Sequence, residues 1–207
     1  MSLPLLLASA SPRRRELLEQ LGIAFTVQPA EVDETPRPGE RSGQLVLRLA
    51  RAKAEAACQL AAPGQWVLGA DTVVALDDEI LGKPADPESA MDMLARLSGR
   101  SHSVYSGIAL TRAGFDTRSL SVKSRVWMRP IDAAELEAYV ATGEPLGKAG
   151  GYAIQGRAAA FVRCLAGSYS NVVGLPLYEL DALLREVPDP PTVMMPKPRE
   201  VSPGPAS

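Results

Sequence analysis

The run Trp66–Leu76 constrains the fold most. It is strongly apolar and β-like, yet Asp71-Thr72 interrupts it. A carboxylate in such a run is costly unless it is paired, metal-bound or at a strand end facing a cleft. The bland alternative is an Asp that makes a turn with Thr72. Short β-like runs surround this segment: Leu3–Ala8, Ala24–Gln28, Glu79–Leu81 after an Asp77-Asp78 turn, Ser101–Thr111, Thr117–Met128 and Phe161–Leu165. Amphipathic helices are expected from Ser11-Pro12 to Gly22, from Ser42 to about Ala62, after Asp86-Pro87, after the Asp132/Glu135 capping box, and after Pro176. Strands and helices intermix without strict βαβ alternation, which predicts a mixed α/β sheet.

Composition narrows the function. Of 207 residues, 46% are hydrophobic and 22% charged, enough to bury a core. The net charge of −2 and an isoelectric point near 5.6 lack the basic balance of non-specific nucleic-acid binders. No apolar stretch has membrane-spanning length and no basic region precedes the N-terminal apolar run, so a cytoplasmic chain is expected. Cys58 and Cys164 form no CxxC pair and are expected to be small buried thiols. His102 is the single histidine, and no GxSxG elbow accompanies it. Chemistry must therefore come from carboxylates, lysines, arginines, hydroxyls or a carboxylate-held metal; His102 itself reads as a hydrogen-bonded strand residue. Seven of the last twenty residues are proline, so residues 188–207 are expected to be a disordered or extended tail behind a domain spanning 1–187.

The strand–SASPRR–helix junction offers a helix N-terminus to an anion, with Ser9 and Ser11 as hydroxyl donors and Arg13 and Arg14 beside them. A triphosphate suits it; the alternative is a plain capped helix with surface arginines. The chain uses 17 arginines but five lysines, so Lys53, Lys83 and Lys148 invite a reason. Lys53 follows Leu49 by four residues and lies beside the apolar helix face. A lysine is a compact charge suited to phosphate oxygens, though snorkelling explains each one equally well. Glu31, Asp33 and Glu34 form an acidic cluster that either binds a cation or is a solvated loop. Gly143–Gly156 holds five glycines without a GxGxxG order, and Gln155 there offers donors and acceptors to a base edge.

Together these segments resemble the Maf family of nucleoside-triphosphate pyrophosphatases, relatives of the inosine-triphosphatase fold. The pieces LASASPRRRELL, VDE, RLARAKA, LGADTVV, GKP, LSGRSHSV, KAGGYAIQG and GSYSNVVGLPL occur in family order. The resemblance implies a mixed twisted sheet with flanking helices and two lobes around a central cleft. It implies hydrolysis between the α- and β-phosphates with a divalent cation, Mg²⁺ or Mn²⁺, and a homodimer. Asp71 matches the general base and, with Glu34, the metal-binding acids. Ser9, Ser11, Arg13, Arg14, Lys53, Thr72, Lys83 and Gln155 match substrate-binding positions, and the last segment is expected to shape the cleft floor. The chain departs from relatives at Arg157-Ala158-Ala159-Ala160, where more glycine is usual.

In the branch resembling 7-methyl-GTP hydrolases, the counterparts of Arg13, Thr72 and Gln155 are a bulky residue, Gln and Glu. Arg-Thr-Gln is the pattern of the dTTP/UTP branch, and a neutral Gln pairs with a pyrimidine imide edge. The leading expectation is a housecleaning hydrolase of dTTP, UTP or modified pyrimidine triphosphates, with no membrane or nucleic-acid partner. The alternatives are 7-methyl-GTP hydrolysis and a nucleotide-binding regulator of septum formation without turnover.

Overall fold

A computed structural model describes residues 3–191 of the chain. Trp66–Leu76 yields one continuous strand, β3 (Val67–Leu76); Asp71-Thr72 does not break it, because a single side chain on each face is all that changes. Before it come β1 (Leu5–Leu7), α1 (Pro12–Gln20), β2 (Phe25–Val27) and α2 (Ser42–Cys58). After it come β4 (Glu79–Leu81), α3 (Pro87–Leu97), β5 (Ser101–Thr111), β6 (Arg118–Met128), α4 (Ala133–Val140), β7 (Val162–Ala166), α5 (Tyr169–Val173) and α6 (Leu177–Glu186). The sheet order is β2-β1-β3-β5-β6-β7, with β4 also on β3. β1 runs parallel to β2 and β3, and the remaining pairs are antiparallel. The mixed α/β sheet expected from the irregular alternation is what forms.

Alternation along β3 distributes the core. Leu68 and Ala70 join Leu5, Leu7, Leu17, Ile108 and Leu180 in one buried cluster. Val74 and Leu76, on the same face, join Leu94, Leu97, Val104 and Val126 in another. Thr72 stands between them, so this face carries two cores with a polar break. The opposite face is covered by α2, which lies so close that a Cβ at Gly69 would strike the Ala50 carbonyl oxygen and one at Gly107 that of Val46. Leu45 and Leu49 of α2 pack on Val73 there.

The break continues at the strand edge. β5 pairs with β3 from Val67 to Ala75. On the other edge, β1 pairs only with Val67 and Leu68, and β4 only with Val74–Leu76. Between them, Gly69–Val73 has no strand partner on that edge among the described residues. A gap in a sheet edge at its polar residues is where a cleft forms.

Local signals mostly behave as their chemistry dictates. Asp86 and Asp132 cap α3 and α4 in capping boxes with Ser89 and Glu135. Ser11 does not: it occupies the N-cap position of α1 without a side-chain cap, and its own N–H donates to Ser9 Oγ at 3.3 Å. α2 ends at Cys58 rather than near Ala62, where Leu60 has already turned to solvent. α5 is a separate short helix, stopped by Gly174 at φ 130° ahead of Pro176. Neither cysteine is buried as expected; Cys58 is half-buried, and Cys164 is exposed because it lies on the sheet's last strand. At the start of the proline-rich segment, the Pro188 carbonyl accepts the Trp66 indole N–H at 3.2 Å and Pro191 is buried. The rest of the expected tail, 192–207, lies outside the described residues.

Candidate active site

Asp71 is on the α2-facing side of β3, and the close approach of α2 at Gly69 brings Lys53 over it. Lys53 Nζ donates to Asp71 Oδ1 at 2.6 Å and pairs with Glu34 Oε1 at 2.5 Å. Lys53 and Asp71 are buried, whereas Glu34 is exposed. The Lys53 hydrogen bond holds the Glu34 carboxyl below its usual range against the opposing effect of partial burial. Two carboxylates from separate segments thus converge on one ammonium.

Thr72 points to the other face and meets the start of α1. Arg14 donates from Nη2 to Thr72 Oγ1 (3.1 Å), from Nη1 to Ser9 Oγ (3.0 Å) and from Nε to the Gly174 carbonyl (2.9 Å). All three acceptors are neutral, and among the described residues Arg14 has no carboxylate within salt-bridge distance. Burial lowers the pKa of both Arg14 and Arg13, so positive charge is held partly out of water beside an uncapped helix start. That combination attracts an anion.

These two constellations share one cleft of about 640 Å³. Ser9, Ser11, Arg13, Arg14, Glu34, Lys53, Asp71, Thr72, Lys83 and Gln155 all line it. Its charged lining is four cationic side chains against two carboxylates, an excess that suits a polyanion. Tyr152, Ile154, Val172 and Val173 add an apolar stretch to the lining, and Gln155 beside Ile154 is exposed. Val172–Gly174 form part of the lining, as expected of the segment before the last helix.

Other candidates lie elsewhere. Asp33 accepts the N–H of Thr35 in an exposed turn, and Glu31 does not reach the cleft. Lys148 turns away and donates to the Glu144 carbonyl at 2.6 Å. His102 is buried, with Nε2 2.7 Å from the Tyr152 hydroxyl and Nδ1 without a partner among the described residues; burial lowers its pKa to about 4. Asn171 is fully buried and donates to the Val104 carbonyl and Ser124 Oγ. Sequence reasoning missed Ser106, whose hydroxyl is 2.9 Å from Thr72 Oγ1 and donates to the Asn171 carbonyl at 3.1 Å. β5 also carries Ser101 and Ser103, so a further serine there gives no local signal.

Glu34 and Asp71 are the two carboxylates of the cleft and the oxygen donors that could hold a hard divalent cation, each with one oxygen on Lys53 Nζ and a second left to offer. Among the described residues no group of three or more His, Cys, Asp or Glu side chains gathers, so a cation here would complete its shell with phosphate oxygens and water.

The model of the Maf-like protein family matches residues 4–187. The dTTP/UTP pyrophosphatase of Myxococcus xanthus is 56% identical over 87% of this chain and 90% of its own length. That of Pelotomaculum thermopropionicum is 49% identical over 88% and 95%. Among solved structures, the Staphylococcus aureus Ham1 protein aligns with a TM-score of 0.44 at 15% identity, over 61% of this chain and 72% of that one.

Proposed function

This chain belongs to the Maf-like protein family, and from that premise we propose that it is a pyrophosphatase of dTTP and UTP. Water attacks the α-phosphorus, the α–β anhydride bond breaks, and the nucleoside monophosphate and pyrophosphate leave. The observation that carries this reading is the one cleft in which a carboxylate pair, four cationic side chains and the neutral amide of Gln155 meet. The curated relatives of the same name support the choice of bases.

Ser9, Ser11, Arg13, Arg14, Lys53 and Lys83 bind and neutralise the triphosphate, with the first turn of α1 offering N–H groups to it. Asp71 Oδ1 or Oδ2 takes the proton of the attacking water, and the Lys53 hydrogen bond fixes the carboxylate's orientation. Glu34 and Asp71 would hold Mg²⁺ or Mn²⁺, and such a cation would polarise phosphorus and relieve the charge on the departing pyrophosphate. Arg14 and Ser106 orient the Thr72 hydroxyl. Gln155 pairs with the imide edge of uracil or thymine, which a neutral amide complements in both donor and acceptor. Residues 1–187 form the catalytic domain, which acts in the cytoplasm on the free nucleotide pool and as a homodimer. Sedimentation equilibrium tests the dimer.

The test of the activity is pyrophosphate release from dTTP, UTP, CTP, 7-methyl-GTP, ATP and GTP with Mg²⁺ or Mn²⁺, and with chelator. Fast metal-dependent release from dTTP and UTP is expected. Release mainly from 7-methyl-GTP would move the chain to the other branch, and release from none would end the enzyme reading.

A further inference from the structure

The Gln155 rim of the cleft is tied down by a carboxylate that does not line it. Glu144, in the loop after α4, accepts the Tyr139 hydroxyl at 2.8 Å and the backbone N–H groups of Arg157 at 3.1 Å and Ala158 at 3.5 Å. Gly156 lies so close that a Cβ there would run into the Glu144 carboxylate. The Tyr139 hydroxyl also accepts the Ala153 N–H at 3.3 Å. Lys148 secures the Glu144 backbone through its carbonyl. Between Ala153 and Arg157, both anchored, a turn closed by the Gly156 N–H on the Ala153 carbonyl at 3.0 Å carries Ile154 and Gln155 into the cleft lining. The turn is therefore held at both ends by one hydroxyl–carboxylate pair.

We propose that Glu144, with Tyr139, is a positioning residue that sets the Gln155 turn and thereby the enzyme's choice of base, an inference that rests on the pyrophosphatase reading. A carboxylate is the group that serves here, because three donors converge on it and it has no proton of its own to place. Burial favours its neutral form, yet the hydrogen bonds from Arg157, Tyr139 and Ala158 outweigh that and lower its pKa. In Glu144→Gln, the amide NH₂ must face either the Ala158 N–H or the Arg157 N–H, a donor against a donor. The turn then loses one anchor while the triphosphate-binding wall is untouched.

The experiment compares wild type, Glu144→Gln and Tyr139→Phe, the last deleting only one oxygen. It measures kcat and KM for UTP, CTP and ribose 5′-triphosphate, which has no base to read, with thermal midpoints as the folding check. The expected result is a KM rise for UTP, a fall of about tenfold in the UTP-to-CTP preference, and unchanged turnover of ribose 5′-triphosphate. In a Gln155→Ala background, adding Glu144→Gln should leave the UTP-to-CTP ratio where Gln155→Ala put it, since both act through one turn. Equal losses on all three substrates, a ratio insensitive to Gln155→Ala, or additive effects in the double variant would overturn the proposal. Calorimetric affinities for UTP and CTP read the same ratio without turnover. A wild type that binds and discriminates but does not hydrolyse refutes the activity and leaves the positioning role to be judged on those affinities.

Discussion

Asp71 and Lys53 are unequal partners. Lys53 has two carboxylate acceptors, Glu34 and Asp71, while Lys53 is the charged donor within bonding distance of the buried Asp71. Removing Asp71's charge leaves Lys53 its second partner; removing Lys53 strands a buried carboxylate. Asp71→Asn is expected to lower kcat by about 10²–10⁴-fold with nucleotide binding kept, at small cost in stability. Lys53→Met should abolish activity and also cost about 3 kcal/mol in urea denaturation. If Asp71→Asn proves the more destabilising, the pair does not work in this order. His102 makes a second residue-scale test. Burial depresses its pKa to about 4, so the unfolded chain binds a proton more readily than the folded one between pH 6.5 and that value. The neutral ring's stabilising effect is complete above pH 6.5 and is lost as pH falls toward 4, by roughly 3 kcal/mol. In His102→Gln, denaturation midpoints measured across this window should lose that slope, and a slope equal to wild type would assign the pH dependence elsewhere.

At the scale of elements, the site depends on how near α2 comes to the sheet. Gly69 and Gly107 permit that approach through the absence of a side chain, with no positive φ at either. Gly107→Ala places a methyl group on the Val46 carbonyl and backbone, neither of which can swing aside as a side chain would. The expected cost is about 1–3 kcal/mol or more by urea denaturation. Gly69→Ala, nearer Lys53, should lower kcat in addition, because lifting α2 lengthens the Lys53–Asp71 contact. Full activity and stability in both variants would show that α2 has room the packing does not suggest. These glycines show what the sequence makes legible. The strands, the helix starts at Asp86 and Asp132, and ten of the residues that line the cleft are each readable from local pattern or from motif. The contact that needs Gly69 to be bare lies on α2, and nothing around Gly69 says so. Ser106 and Glu144 escape for the same reason: their partners, Thr72 and the Arg157 N–H, are distant in sequence. An acid among apolar residues looks like a break, and by local pattern alone Asp71 interrupts its run. In a strand covered on one face by a helix bearing Lys53, it is simply the next inward position.

For the molecule as a whole, the gap between β1 and β4 along β3 separates two hydrophobic cores, one containing Leu5, Leu7 and Leu180, the other Leu94, Val104 and Val126. Residues from both sides line the cleft: Ser9 to Arg14 follow β1 beside the first core, while Lys83 and Tyr152 to Gln155 flank the second. A ligand spanning from α1 to Gln155 must therefore couple lobes that otherwise communicate through β3, β5 and their flanking packing. Binding only to the folded state adds about 2.7 kcal/mol at a hundredfold excess over Kd, a thermal shift of roughly 5–10 °C for a chain of this size. With a UTP analogue whose α–β bridge resists hydrolysis, amide exchange should slow on both sides, in β1 and α6 as well as in α3 and β6. Inorganic tripolyphosphate, which meets Ser9 to Arg14 and Lys83 but has no base to reach Gln155, should raise the melting temperature less and add no protection to the Tyr152–Gln155 segment. Protection by the analogue no wider than that by tripolyphosphate would mean that the base does not bridge the cleft, and Gln155 would then lose its place in recognition.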